Sequence, residues 1–408
     1  MGGDKNQDQD AREIPEGPAG DSAFLAALEQ QAQAWAAQDL RRIRRVLESA
    51  AGPWIEVAGK GRCLSFLSND YLGLAADPVL RRAIAEGAMA WGAGSGASAL
   101  ISGHLRCHAE AERRLADFVG TPAALLFITG YMANLAVVAS LVQGEQDVVF
   151  SDRLNHASLI DGCRLSRARI VTYAHGDLVD LATQLAATPA RRRLIVSDAV
   201  FSMDGDVADL AGLLALAEAY DALLVIDDAH GFGVLGPEGR GALAAAGLRS
   251  ERLVMMGTLG KGGGLSGAFV AASALVIEHL IQHGRTYVFS TSPAPAVAAA
   301  VSTALDLIVA GNWRRERLAE LRQALMEGSQ VWSRPVAEGT TPIVPVVVGE
   351  ADATMRLAAR LAESRVLLAG IRPPTVPAGT ARLRISLSAG HVVEDVEQLC
   401  SVGRAAGI

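Results

Sequence analysis

Lys261 is one of three lysines in a chain that places arginine at thirty-four positions. It stands in Met255-Met256-Gly257-Thr258-Leu259-Gly260-Lys261-Gly262-Gly263-Gly264, a glycine-rich apolar stretch. A lysine kept there needs a reason that arginine cannot meet. Schiff-base chemistry is one: a primary amine can lose its proton, attack a carbonyl and later act as a base, whereas a guanidinium stays charged. A nucleotide phosphate loop is the competing reading, but that pattern requires glycine where Met255 stands and Ser or Thr where Gly262 stands.

A second signal is Val225-Ile226-Asp227-Asp228-Ala229-His230-Gly231, where an apolar run leads straight into two carboxylates and an imidazole. A carboxylate at the tip of a buried strand is costly unless it faces a cation or a donor. The same motif suits an aspartate capping the next turn. A metal site is the weaker alternative, because no further His or carboxylate cluster stands at ligand spacing, and no metal is expected.

The run 124–128 followed by Thr129-Gly130-Tyr131 reads as strand, tight turn and helix start, where free backbone amides and the helix dipole can seat a phosphate. Asn155-His156-Ala157-Ser158 and Phe201-Ser202-Met203-Asp204-Gly205 also follow expected strands and belong on the same rim. Gly92-Ala93-Gly94-Ser95-Gly96-Ala97 follows a helical pattern and not a strand, so it lacks the context of a dinucleotide fingerprint and reads as a turn or a close backbone approach. An imine-forming lysine, an aspartate for a ring nitrogen, a phosphate seat and two rim histidines together describe a pyridoxal 5'-phosphate site.

The elements that must position these residues are legible as apolar runs. Strands are expected at 124–128, 147–150, 169–173, 194–197, 223–226, 253–256 and 267–271, with helices between most of them, as at 132–141 and 210–220. Near-continuous apolar strands alternating with helices predict an α/β fold with a mostly parallel sheet covered on both faces. Ligands on such sheets bind beyond the carboxyl ends of the strands. Apolar residues at Phe24, Leu28, Trp35, Ile43 and Leu47 predict one helix over 24–47, ended by Gly52-Pro53, with Arg41-Arg42-Ile43-Arg44-Arg45 on its face and one side laid on the body. After Pro293-Ala294-Pro295 come a long alanine-rich helix, a strand at 343–348, a helix at 354–363 and a strand at 382–387. The expected organisation is a disordered extension over 1–22, an N-terminal helical segment over 23–60, a large cofactor-binding domain over 61–290 and a smaller α+β domain over 291–408.

Composition narrows the class. Half of the 408 residues are hydrophobic and the net charge is -7, with no basic cluster that argues for nucleic acid. The isolated Cys63, Cys107, Cys163 and Cys400 suit a reducing cytosol, and no uncharged apolar run reaches membrane-spanning length, so a cytoplasmic protein without a membrane partner is expected.

Ser-Asn-Asp-Tyr-Leu-Gly-Leu at 68–74, Asp-Asp-Ala-His-Gly at 227–231, Thr-Leu-Gly-Lys-Gly at 258–262 and Ile-Arg-Pro-Pro-Thr-Val-Pro-Ala-Gly-Thr-Ala-Arg-Leu-Arg at 371–384 resemble the α-oxoamine synthases. The similarity runs from about residue 24 to the end and is greatest to the members that make 8-amino-7-oxononanoate for biotin. The resemblance implies an aminotransferase-like, fold-type I homodimer with shared active sites. It also implies condensation of L-alanine with a pimeloyl thioester, carried by coenzyme A or an acyl carrier protein, with release of carbon dioxide. By matching motif positions, Lys261 would carry pyridoxal phosphate covalently and act as the base. Asp227 would pair with the ring nitrogen, His156 would stack on the ring and donate a proton, and Ser202 and His230 would approach the phenolic oxygen. Gly130, Tyr131 and Thr258 would serve the phosphate, joined by Thr291 from the other subunit. Arg384 would hold the amino-acid carboxylate, and Thr375 and Arg41 would contact substrate, with Arg42 or Arg44 as substitutes for Arg41. A glycine-using sister such as a glycine C-acetyltransferase, an aminotransferase, and a silent protein on the same scaffold are the other readings.

Overall fold

The computed structural model describes residues 22–38, 40–336 and 338–408, so the expected extension over 1–22 lies almost wholly outside the described residues. The chain divides into two compact units, 1–44 and 45–408. In the first, a helix runs over Ala23–Ala37, capped by Ser22, and none of its residues is buried. This corrects the bounds of the expected helix over 24–47. Continuing it would bring Arg41 alongside Arg44 and Arg45, and Arg42 alongside Arg45, at the spacings where like charges repel across a helix face. Instead the amides of Leu40 and Arg41 both donate to the Trp35 carbonyl, at 2.9 and 3.2 Å, and the helix stops. Leu47, in the second unit, forms an antiparallel bridge to Val57.

Among its described residues the second unit has thirteen strands: β1 (Trp54–Val57), β2 (Gly61–Ser65), β3 (Ala123–Phe127), β4 (Val148–Asp152), β5 (Arg169–Tyr173), β6 (Arg193–Asp198), β7 (Ala222–Asp227), β8 (Leu253–Thr258), β9 (Ala268–Ala272), β10 (Ile343–Gly349), β11 (Val366–Leu367), β12 (Ala369–Ile371) and β13 (Ala381–Ser386). Seven of them form one sheet in the order β3-β9-β8-β7-β6-β4-β5. Neighbours pair in parallel except around β9, which runs antiparallel to both β8 and β3. The reason is local. A parallel return needs a crossover of a dozen or more residues, and the link 259–267 is too short for one, so β8 turns straight back. Lys261 sits in that link.

Alternate side chains of these strands enter two separate cores. Leu126, Phe150, Ile195, Leu224, Ile226, Met255 and Phe269 face one, while Leu125, Val149, Leu194, Val196, Val225, Val254 and Val270 face the other. Both faces being covered is what makes each strand an unbroken apolar run. Two three-stranded sheets, β1-β2-β11 and β10-β13-β12, complete the unit, so the early hairpin is joined by parallel pairing to the late part of the chain. The helix Pro295–Ala310 packs on Pro78–Trp91 and Arg106–Val119. Gly87 permits that approach, since a Cβ there would stand 3.0 Å from both the Ala296 carbonyl oxygen and the Ala299 Cβ.

Among the described residues no single helix is long and apolar enough to cross a membrane. A cavity of about 770 Å³ lies near the start of β8, bordered by Leu253, Met255 and the end of β9. It is not where the motifs meet.

Candidate active site

The motifs meet beyond the carboxyl ends of β6, β7 and β8, where a small cavity of about 50 Å³ is lined by His156, Ser158, Asp198, Asp227, His230 and Lys261 among others. Asp227 ends β7 and is 3% exposed. Its carboxylate accepts from Asn134 Nδ2 at 2.7 Å and from the Ala229 amide at 3.0 Å. Asp198 ends β6 directly beside it in register. Burial and then the Asp227 charge push the Asp198 carboxyl well above its usual range. Its Oδ2 accepts the His156 amide at 2.6 Å, which fixes the backbone at the start of helix Ala157–Ser166.

Lys261 Nζ lies 2.8 Å from Nε2 of His230. Burial, aided by Arg384 and opposed by Asp227 and Asp198, brings the Lys261 amine down to about 8. Burial, then the charges of Lys261, Arg384 and His156, hold His230 well below its usual value, so its imidazole is neutral. The other ring nitrogen, Nδ1, is 2.6 Å from the Tyr71 hydroxyl. His156 stands exposed at the mouth, with Nδ1 2.7 Å from Ser158 Oγ. Burial, and then the Lys261 charge, lower its pKa against the pull of Asp227.

Thr258 closes β8, and its hydroxyl donates to the Gly267 carbonyl at 3.1 Å and accepts the Gly260 amide at 3.3 Å, bracing the link that carries Lys261. Gly130 and Tyr131 begin the helix Gly130–Leu141, whose third amide, that of Met132, is capped by Thr129 Oγ1 at 3.1 Å. The first two amides of a helix have no intrahelical acceptor. The Tyr131 hydroxyl donates to Asp161.

Arg384, on β13, is 5% exposed. Its Nε donates to the Ser202 carbonyl at 2.6 Å, one terminal nitrogen to Ser386 Oγ at 2.7 Å and to Asn69 Oδ1 at 3.1 Å, and the other to the Tyr71 hydroxyl at 3.4 Å. Among the described residues no carboxylate pairs with it, whereas Arg382, two places back, pairs with Asp204. Ser202 and Thr375 border a neighbouring cavity of about 160 Å³ with Leu154, Phe201 and Arg382. Thr291 is exposed and lines a separate small cavity with Ser290, Thr286 and Tyr287. Arg41, Arg42 and Arg44 belong to the 1–44 unit.

Asp198, Asn134 and Tyr71 escaped the reading of the sequence as site residues. Asp198 immediately follows the expected strand 194–197 and ends β6. Its signal is the register, which sets it beside Asp227. Asn134 is the polar residue in an otherwise apolar stretch of helix, fully buried, which is itself a sign of a partner in the core. Tyr71 lay inside a quoted motif with nothing local to mark its hydroxyl.

The family model described as aminotransferase class I and II matches residues 62–402. An 8-amino-7-oxononanoate synthase from Herminiimonas arsenicoxydans is 52% identical over 374 residues, covering 90% of this chain and 96% of its own. The chain belongs to the 8-amino-7-oxononanoate synthase branch of the class I and II aminotransferase family. Among solved structures, a serine palmitoyltransferase from S. paucimobilis with a bound pyridoxal phosphate–myriocin adduct is 30% identical, covers 94% of this chain and 98% of that one, and superposes with a TM-score of 0.87. An 8-amino-7-oxononanoate synthase from Francisella tularensis is 29% identical over 84% of this chain and 97% of that one, with a TM-score of 0.73. The fold is therefore common to enzymes of different substrates, and it is sequence similarity that places the chain within the synthase branch.

Proposed function

We propose that this protein is a pyridoxal phosphate-dependent acyltransferase that condenses L-alanine with a pimeloyl thioester, giving 8-amino-7-oxononanoate and carbon dioxide. The observation that carries the reading is Lys261: its amine, brought to about 8, shares one buried cavity with Asp227 and a neutral His230. The donor set fits the cofactor. Asp227 presents a fixed negative charge suited to a protonated ring nitrogen, the two uncapped amides at Gly130 and Tyr131 suit a phosphate, and Lys261 suits an aldehyde. Asn134 Nδ2 donates to both Asp227 at 2.7 Å and Ser158 Oγ at 2.8 Å, which holds that carboxylate in place.

Pyridoxal phosphate, when bound, supplies an electron sink for the electrons released at the amino acid's α-carbon. The protein's own groups do the rest. Lys261 would hold the cofactor through its aldehyde carbon, with loss of water; displaced from that carbon by the amino group of alanine, its freed amine would take the α-proton and later return one. Asp227 keeps its charge aimed into a site from which water is largely excluded, where that charge acts most strongly. Arg384, buried and without a carboxylate partner among the described residues, holds the carboxylate of alanine. His156, at the mouth, donates a proton on the exposed side, and Ser202 and His230 serve the phenolic oxygen. Thr258 adds a hydroxyl near the phosphate, and Thr375 borders the path of the acyl substrate.

Thr291 lines a different cavity from Lys261, which supports its acting in a neighbouring subunit of a cytoplasmic homodimer. Mixing Lys261→Ala subunits with Thr291→Ala subunits is expected to give more activity than either parent, because one hybrid site regains both residues. With subunit exchange verified, an absence of gain sinks the shared site.

The function is tested by mass spectrometry of the product formed from alanine with pimeloyl, acetyl and unsubstituted long-chain thioesters. A methyl group contributes only about 1–3 kcal/mol of selectivity, so alanine is preferred to glycine without being obligatory. The terminal carboxylate of pimeloyl needs a cationic partner, for which Arg41 is the motif match. Wild type is expected to prefer pimeloyl thioester, and Arg41→Ala to narrow the gap in kcat/KM by weakening the pimeloyl reaction. A wild type that prefers acetyl thioester with glycine is a sister synthase instead.

A further inference from the structure

Tyr71 takes no part in the chemistry above, yet its hydroxyl is the second link of a hydrogen-bonded chain that begins at Lys261. Nζ lies 2.8 Å from Nε2 of His230, Nδ1 of that ring lies 2.6 Å from the Tyr71 oxygen, and that oxygen lies 3.2 Å from Asn69 Oδ1 and 3.4 Å from a terminal nitrogen of Arg384. Tyr71 is 0% exposed and His230 4%, so the links are closed to bulk water. Burial pushes the Tyr71 phenol up to about 12, against the pull of Arg384. Burial, and then the positive charges of Lys261 and Arg384, oppose a second proton on the His230 ring. The phenol and the imidazole therefore each hold one proton, and the open question is only where each points.

Such a chain has two polarities. An ammonium can only donate, so a free Lys261 below its pKa of about 8 makes Nε2 an acceptor. The ring proton is then on Nδ1 and points to the Tyr71 oxygen, and the phenol donates to Asn69 Oδ1. Once Nζ is covalently engaged it no longer presents an ammonium. The opposite polarity opens: the phenol donates to Nδ1, and the ring carries its proton on Nε2, facing the cavity.

We propose that Tyr71 is a positioning residue that sets the tautomer of His230, so that the ring offers an acceptor to the free Lys261 ammonium and an N–H to the cofactor's phenolic oxygen once Lys261 is engaged. Only the proton's position changes, and the ring is neutral in both states. The proposal rests on the pyridoxal phosphate reading of the cavity. Arg384 abuts the same hydroxyl, which brings the group that holds the substrate carboxylate against the switch.

The test is ¹⁵N NMR of the imidazole nitrogens in the full-length protein at pH 7, with and without pyridoxal phosphate, the His230 signal being identified by its loss in His230→Gln. The expected result is an Nδ1–H tautomer without cofactor and an Nε2–H tautomer with it. In Tyr71→Phe the loaded protein should show mixed tautomers. An oxygen that loses an N–H donor holds a shared proton more tightly, so the absorbance midpoint of the bound cofactor should rise by about one pH unit, a tenfold change in the equilibrium. The same tautomer in both wild-type states overturns the proposal, as does a Tyr71→Phe protein with wild-type tautomer and midpoint. If Tyr71→Phe does not retain the cofactor, the two wild-type spectra decide alone. A wild type that takes up no pyridoxal phosphate overturns the parent reading and the switch with it, whereas an unchanged tautomer in a loaded protein overturns the switch only.

Discussion

Lys261→Ala is expected to abolish turnover, lowering kcat by at least about four orders of magnitude, while pyridoxal phosphate still binds noncovalently. One amine serves as both the covalent partner and the α-carbon base, and loss of a general base alone costs about 10²–10⁴-fold. The phosphate seat at Gly130 and Tyr131 and the Asp227 carboxylate are untouched by the change, so the cofactor should remain bound, dialysable and unreactive to borohydride. The Lys261 amine of the wild type also sets a pH signature. Brought to about 8 mainly by burial, it is protonated and without a lone pair below that pH and free to attack above it. Reconstitution of cofactor-free wild type should therefore quicken as pH rises through about 8. Repeated turnovers by Lys261→Ala without an added amine, or a reconstitution rate that falls across this range, would refute the assignment.

Asp227→Asn is expected to fold, to hold the cofactor more weakly and to lose about 10²–10³-fold in kcat, the scale of removing one preorganised electrostatic group from a desolvated site. The local geometry tolerates the swap. An amide at 227 brings a second donor against Asn134 Nδ2; turning Asn134 over presents its unpartnered Oδ1 to residue 227 and replaces its donation to Ser158 Oγ by acceptance from that hydroxyl. The charge is not replaced from next door. Asp228 is fully buried, accepts the Ala242 amide at 2.7 Å and is wedged against Gly231 and Gly241, where an added Cβ would come within 2.1 Å of its oxygens. Activity within a few-fold of wild type, with the fold checked by circular dichroism, would mean that another group, Asp198 first, supplies the charge.

Fold and site were legible to different depths. The seven strands of the main sheet lie within about two residues of their expected ends, because strands covered on both faces are continuous apolar runs and glycine or polar residues bound them. The N-terminal helix ends at Ala37, short of its sparse apolar rhythm, which says nothing of the charges between its members: four arginines in five residues follow that end. Asp198 was lost at a strand end for a related reason: a polar residue after an apolar run reads as loop until the neighbouring strand shows what it faces.

By itself the sequence determined the alternation of strands and helices, the lysine, aspartate and histidines that carry chemistry, and their common rim at the carboxyl ends of the strands. These are local properties, written in residue type and spacing within a few positions. Only the tertiary structure decided that Tyr71 reaches His230 across 159 positions and Arg384 across 313, that Asp198 lies beside Asp227, and that Arg382 pairs with Asp204 while the buried Arg384 has no carboxylate among the described residues. Each of these is a meeting of distant segments set by sheet order and by the packing of β13 against the rim, and no periodicity along the chain encodes which distant side chain a buried group will meet.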